Sequence, residues 1–163
     1  MDELAALYHS IGAALWYVQH LEDALVNFLT MKEIYELRCA RRAPDPKDSW
    51  DLLAKHRKQT IGPLFQSCKE RKIIKKADHA RYDALRDERH WLVHRCMVES
   101  GDDLYLERTR IAVFQRVQAI EQEASELYHA VAADLETWAS AHGVDVNKAE
   151  KVAIEEINRL KGL

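Results

Sequence analysis

Residues 86–95 read RDERHWLVHR, with no glycine or proline to interrupt a helix. On a helical wheel of about 100° per residue, Tyr82, Leu85, Leu92, Val93 and Cys96 fall within about 60° of Arg89. The stretch is therefore a helix with an arginine in the centre of its apolar stripe. A guanidinium stays charged, so burial there requires a carboxylate or other acceptors around it. One reading is structural: Arg89 pairs with a carboxylate on a facing helix, or reaches to an edge along its aliphatic stem. Glu22, beside the apolar face of the first helix in QHLEDAL (19–25), is the candidate partner.

A second stripe on the same helix carries Asp83, Asp87, His90 and His94, roughly 130° from Arg89. Trp91 and Val98 lie beyond it on the back. Apolar residues on both sides predict that the back is covered as well, by other helices or by a second subunit. Two chemistries suit a carboxylate–imidazole stripe. His90 and His94, at i and i+4, have the spacing to share a metal ion, with Asp87 one turn away. Yet there is neither an HExxH nor a Glu-x-x-His pair. The other chemistry is proton transfer at a phosphodiester. Imidazole exchanges protons near neutral pH, and an adjacent arginine holds a phosphate and stabilises the charge it develops.

The rest of the chain sets this helix in an all-α bundle. Gly (5) and Pro (3) are scarce among 163 residues, a composition that favours helix. Residues 3–40 carry Leu4, Leu7, Tyr8, Ile11, Leu15, Val18, Leu21, Leu25, Phe28 and Leu29 at helical spacing, and Gly12 does not end the run. RAPDPKDS (42–49) is a loop with the cap-like Asp48 and Ser49. A short helix is expected over residues 50–59, and Pro63 opens another to about residue 72. The helix of interest is expected over 75–97. The flanks of ESGDD (99–103), CMV and LYL, suit a small hairpin. A second long helix spans 107–141, with Gly143 as a left-handed cap. Asn147 and Glu150 form a capping box for a last helix, 147–160, which packs on its own bundle or reaches a partner. The expected organisation is a bundle over 1–143, with two long antiparallel helices, and a C-terminal extension over 144–163.

No window approaches the ~20 apolar residues of a bilayer span, and the acidic N-terminus is unlike a signal peptide. Cys39, Cys68 and Cys96 are odd in number and far apart, which points to reduced thiols and a cytoplasmic setting. Charge is unevenly spread. Residues 54–95 hold 12 of the 24 Lys/Arg but only 5 of the 27 Asp/Glu. This basic block is either a solvated face balanced by neighbouring helices or a phosphate-facing surface. KHRK (55–58) and KERKIIKK (69–76) are its densest parts. Aromatics are sparse among these charges, so no single-strand stacking platform is expected.

RHWLVH (89–94) resembles the Arg-x4–6-His signature of the HEPN superfamily, with His90 where Asn, His or Asp follows the arginine. The setting is similar over roughly residues 4–140: a late helix of an all-α bundle, ahead of another long helix. The resemblance implies a homodimer whose motif helices face one cleft. It also implies a metal-independent endoribonuclease in a toxin–antitoxin or antiviral role, without a cofactor. RNA would be cut by attack of the 2′-hydroxyl on the adjacent phosphate. His94 would be the acid–base residue, Arg89 would bind the scissile phosphate, and His90 would orient them. Glu22 and Asp87 would support the site. Arg95, Lys75 and Lys76 are expected to contact substrate phosphates. An antitoxin or other defence partner is a further expectation. The alternative is a non-catalytic module of the same type that binds RNA, a nucleotide or a partner protein.

Overall fold

The computed structural model describes residues 3–40 and 45–144, with Lys151, Ile154, Glu155, Asn158 and Arg159 beyond them. It is all-α. Helix α1 spans Glu3–Cys39, α2 Pro46–Arg57, α3 Ile61–Glu70, α4 His79–His94, α5 Cys96–Ser100 and α6 Glu107–Ala141, with single 3-10 turns at Lys76–Asp78 and Gly101–Asp103. Among the described residues there is no strand, and no helix is long and apolar enough to cross a membrane.

Helix α2 begins four residues before the expected Trp50, because Asp45 rather than Asp48 caps it. The Asp45 carboxylate accepts from the Lys47 N–H at 2.8 Å, and Asp48 reaches back to the Asp45 N–H at 3.3 Å. This reciprocal box satisfies two donors that the first turn leaves free, and Pro46 at the first position has no donor to lose. Pro63 sits third in α3, after the Thr60 cap, where its missing N–H would also have had no intrahelical acceptor.

The expected hairpin is absent. Cys96–Val98 continue as helix α5, with the Glu99 N–H donating to the Arg95 carbonyl at 2.8 Å. Residues 104–106 form a turn into α6. A paired hairpin would bury alternate residues on both arms. Here only Cys96 and Leu104 are buried, while Val98 and Tyr105 stand in solvent. The motif helix is correspondingly shorter than 75–97: it starts at His79 after a 3-10 turn and breaks at Arg95, whose φ of −121° departs from helical geometry.

The two compact units are Met1–Val131 and Ala132–Leu163. In the first, Leu7, Val18, Leu21, Leu25 and Leu29 of α1, Leu64 and Phe65 of α3, and Tyr82, Leu85 and Leu92 of α4 are buried with Val117, Ile120 and Leu127 of α6. Each such side chain contributes about 1.5–3 kcal/mol of transfer free energy. Phe65 meets Tyr82 edge-on at 5.0 Å. Tyr8, expected on the apolar face of α1, is instead half exposed.

The long helices lie side by side but run parallel, not antiparallel as expected. Glu3 pairs with Arg110, and the His20 ring lies 5.7 Å from that of Tyr128, so contacts advance in the same sense on both. The reversal is taken by α4. Its Arg81 binds Glu123 while its Glu88 binds Arg116, which makes α4 antiparallel to α6.

In the second unit α6 ends in a Schellman motif. Gly143 has φ +72°, the Val144 N–H donates to the Ala139 carbonyl at 2.9 Å and the Gly143 N–H to Ser140 at 3.2 Å. The expected capping pair Asn147 and Glu150 lies outside the described residues. Lys151, Ile154, Glu155, Asn158 and Arg159 are helical.

Candidate functional site

Helix α4 buries Tyr82, Leu85, Trp91 and Leu92, and α5 continues that face with Cys96. Val93, assigned to the apolar stripe by the wheel, is exposed. The buried arc is therefore rotated away from Val93, and Arg89 lies at its edge rather than its centre. The Arg89 side chain keeps 34% of its exposure. Its head can meet solvent or a ligand without leaving the helix–helix seam.

Glu22 is the facing carboxylate, as expected. Its Oε1 lies 3.9 Å from Arg89 Nε, an ion pair without a hydrogen bond. That oxygen is buried and has no hydrogen-bond partner among the described residues. Burial pushes the Glu22 carboxyl above the ordinary carboxylate range; Arg89 pulls it back down, and Asp23 adds to the rise. Arg89 is thus oriented by a long contact that leaves its donors largely uncommitted.

His90 and His94 are both exposed, with ring centroids 4.9 Å apart. Asp87 is exposed on the same side and accepts from Arg86 at 2.9 Å. Among the described residues no three His, Cys, Asp or Glu side chains converge as metal ligands would. The sequence spacing that suggested a shared ion therefore does not become a three-donor cage.

The back of α4 is covered by α6 within the same chain. The Arg116 guanidinium lies 3.7 Å from the centroid of Trp91 and binds Glu88 through two hydrogen bonds, of 2.6 and 3.0 Å. The Glu88 bond, and then the charges of Glu88 and Glu99, raise the Arg116 pKa further. The Trp91 indole N–H donates to Glu99 at 2.8 Å. Arg95 also belongs to this side. It pairs with Glu99 at 2.5 Å and lines the same groove as Arg116.

Lys75 and Lys76 precede α4, on the order of 20 Å from Arg89 at 1.5 Å per residue. They are exposed and do not join the site. Much of the basic block is a balanced face. Lys55 and Arg71 pair with Glu33, Lys69 with Asp83, Arg81 with Glu123 and Glu126, and Arg86 with Asp83 and Asp87. Within KHRK, Lys55, Arg57 and Lys58 are exposed while His56 is 2% exposed, with Nε2 3.2 Å from a Glu33 oxygen. The contact is an ion pair rather than a hydrogen bond, and both ring nitrogens lack a hydrogen-bond partner among the described residues. This cluster went unread in the sequence, where His56 looked like one more member of a charge run.

The chain matches no family model, and no curated protein or solved structure matches it.

Proposed function

We propose that the protein is a metal-independent endoribonuclease of the HEPN type, acting as a homodimer in the cytoplasm in a toxin–antitoxin or antiviral role. The observation that carries this reading is the pair of exposed imidazoles, His90 and His94, on the same helix as an edge-buried Arg89 whose one ion-pair contact, Glu22 at 3.9 Å, is too long for a hydrogen bond. A structural arginine would be expected to spend its donors on its partner.

In this reading Arg89 binds the non-bridging oxygens of one RNA phosphate. An imidazole takes the proton of the neighbouring 2′-hydroxyl, and that oxygen attacks phosphorus. The bond from phosphorus to the 5′-oxygen breaks, and the leaving oxygen receives a proton from a second imidazole. The products are a 2′,3′-cyclic phosphate and a 5′-hydroxyl, with no net change in protons. His94 is the acid–base residue, and a second copy's His94 facing the same cleft supplies the other proton transfer. Arg89 stabilises the charge that builds on phosphorus oxygens in a site partly shielded from water. Exposed Val93, Met97 and Val98, on the motif helix and its continuation, are apolar surface that a second copy would cover.

The test compares purified wild type with Arg89→Ala and His94→Ala on RNA. Loss of at least 100-fold in cleavage by each variant, with folding intact, is expected, because acid–base catalysis alone contributes about 10²–10⁴-fold. Undiminished cleavage by His94→Ala would remove the mechanism. Binding without cleavage by the wild type would turn the assignment to a non-catalytic RNA-binding module.

A further inference from the structure

Next to His90, between α4 and α6, lies a groove of about 490 Å3 lined by Asp87, Glu88, His90, Trp91, Arg95, Glu99 and Arg116. His90 belongs both to the imidazole pair and to the wall of this groove, so the two are neighbours. Two of the three carboxylates on its wall are paired with cations other than Arg95. Glu88 is neutralised by Arg116, and Asp87 by Arg86. Arg116 is itself fixed by that bidentate bond and by its stack on Trp91. Arg95 is different. Its side chain is 62% exposed, and among the described residues its ion pair is with Glu99, one turn along.

We propose that this groove is a subsite for an RNA backbone phosphate flanking the scissile one, and that the phosphate takes Arg95 from Glu99. The proposal rests on the ribonuclease reading and names how that site holds its substrate. The exchange is cheap for the protein because Glu99 is not orphaned when Arg95 leaves. Its Oε2 still accepts from the Trp91 indole at 2.8 Å, and Arg116 stands close enough for its charge to be felt. An exposed i,i+4 ion pair is weak, whereas a guanidinium on a phosphate gains paired, charge-assisted hydrogen bonds. Glu99 therefore parks Arg95 at the groove, ready for substrate.

The experiment uses the full chain and a short single-stranded RNA carrying 2′-O-methyl groups, which binds but has no hydroxyl to attack. Affinity is read by fluorescence anisotropy across a salt series. Arg95→Gln should weaken binding and lower the slope of log affinity against log salt by about 0.7, one phosphate contact on a single strand. Glu99→Gln keeps an acceptor for Trp91 and frees Arg95, so binding should tighten about two- to fivefold, the size of an exposed ion pair. That gain should vanish in the Arg95→Gln background. Tightening that persists there would be a simple charge effect and would overturn the exchange. Arg89-dependent cleavage by the wild type, with binding indifferent to Arg95, would overturn the subsite and leave the ribonuclease reading standing. A wild type that neither binds nor cuts RNA would overturn both.

Discussion

Arg89 shows how far one residue can be read before its neighbours are known. The need for a partner followed from its permanent charge, and Glu22 is that partner. Its position at the edge of the seam did not follow, because a wheel gives angles within one helix and not where the next helix sits. Glu22 gives a test with a definite sign. Its folded-state pKa is raised, chiefly by burial, so the folded chain holds this proton more tightly than the unfolded chain. The resulting stability is full below the ordinary carboxylate range and is lost as pH rises through the raised value. Wild type should therefore lose stability relative to Glu22→Gln as pH climbs out of that range, read as urea midpoints of both proteins over a pH series. A difference that stays flat with pH would mean that burial does not raise the Glu22 pKa. Cys68, whose thiol is pushed up to about 12 by burial, should resist alkylation in the native protein while exposed Cys39 reacts.

Whole elements were legible where the pattern was long. The first helix, expected over 3–40, is Glu3–Cys39, and the last long one, expected over 107–141, is Glu107–Ala141. Thirty or more residues of 3–4 spacing leave little ambiguity. Short apolar triplets do not carry that information, and CMV and LYL were misread as strands for this reason. The end of α3 carried no such signal in the sequence. Lys72 occupies the left-handed position, with φ 55°, in a Schellman motif: the Ile73 N–H donates to the Cys68 carbonyl and the Lys72 N–H to Lys69. Glycine is the usual residue there because a Cβ is strained at positive φ. Lys72→Gly should stabilise the protein by about 0.5–1 kcal/mol, the lost strain exceeding the added unfolded-state entropy. A thermal melt of the two proteins checks it, and a lower midpoint for the variant would mean that the lysine side chain has a packing role outweighing its strain.

At the scale of the molecule the all-α class was legible and the direction of its long helices was not. Direction depends on how often the chain reverses between α1 and α6, and short connecting helices hide that count. The basic block shows the same limit. Its composition suggested a phosphate surface, but much of its charge is spent on Glu33, Asp83, Glu123 and Glu126 of neighbouring elements. What remains around the candidate site is a small set of groups: Arg89, His90, His94 and the groove with Arg95. Beside them Met97 is 55% and Val98 85% exposed. If a second copy covers this surface, Met97→Glu should convert a dimer to a monomer in analytical ultracentrifugation and reduce cleavage at least tenfold while the helical circular-dichroism spectrum is unchanged. A variant as dimeric and as active as wild type would place the interface elsewhere.

The measurement that bears most directly on the central claim is cleavage of RNA with a chelator present. Purified wild type is incubated with total RNA and with tRNA beside the Arg89→Ala/His94→Ala double variant, and the fragment ends are analysed. The account predicts 2′,3′-cyclic phosphate and 5′-hydroxyl ends from the wild type and intact RNA from the variant. Intact RNA with both proteins, or equal cleavage by both, would contradict it.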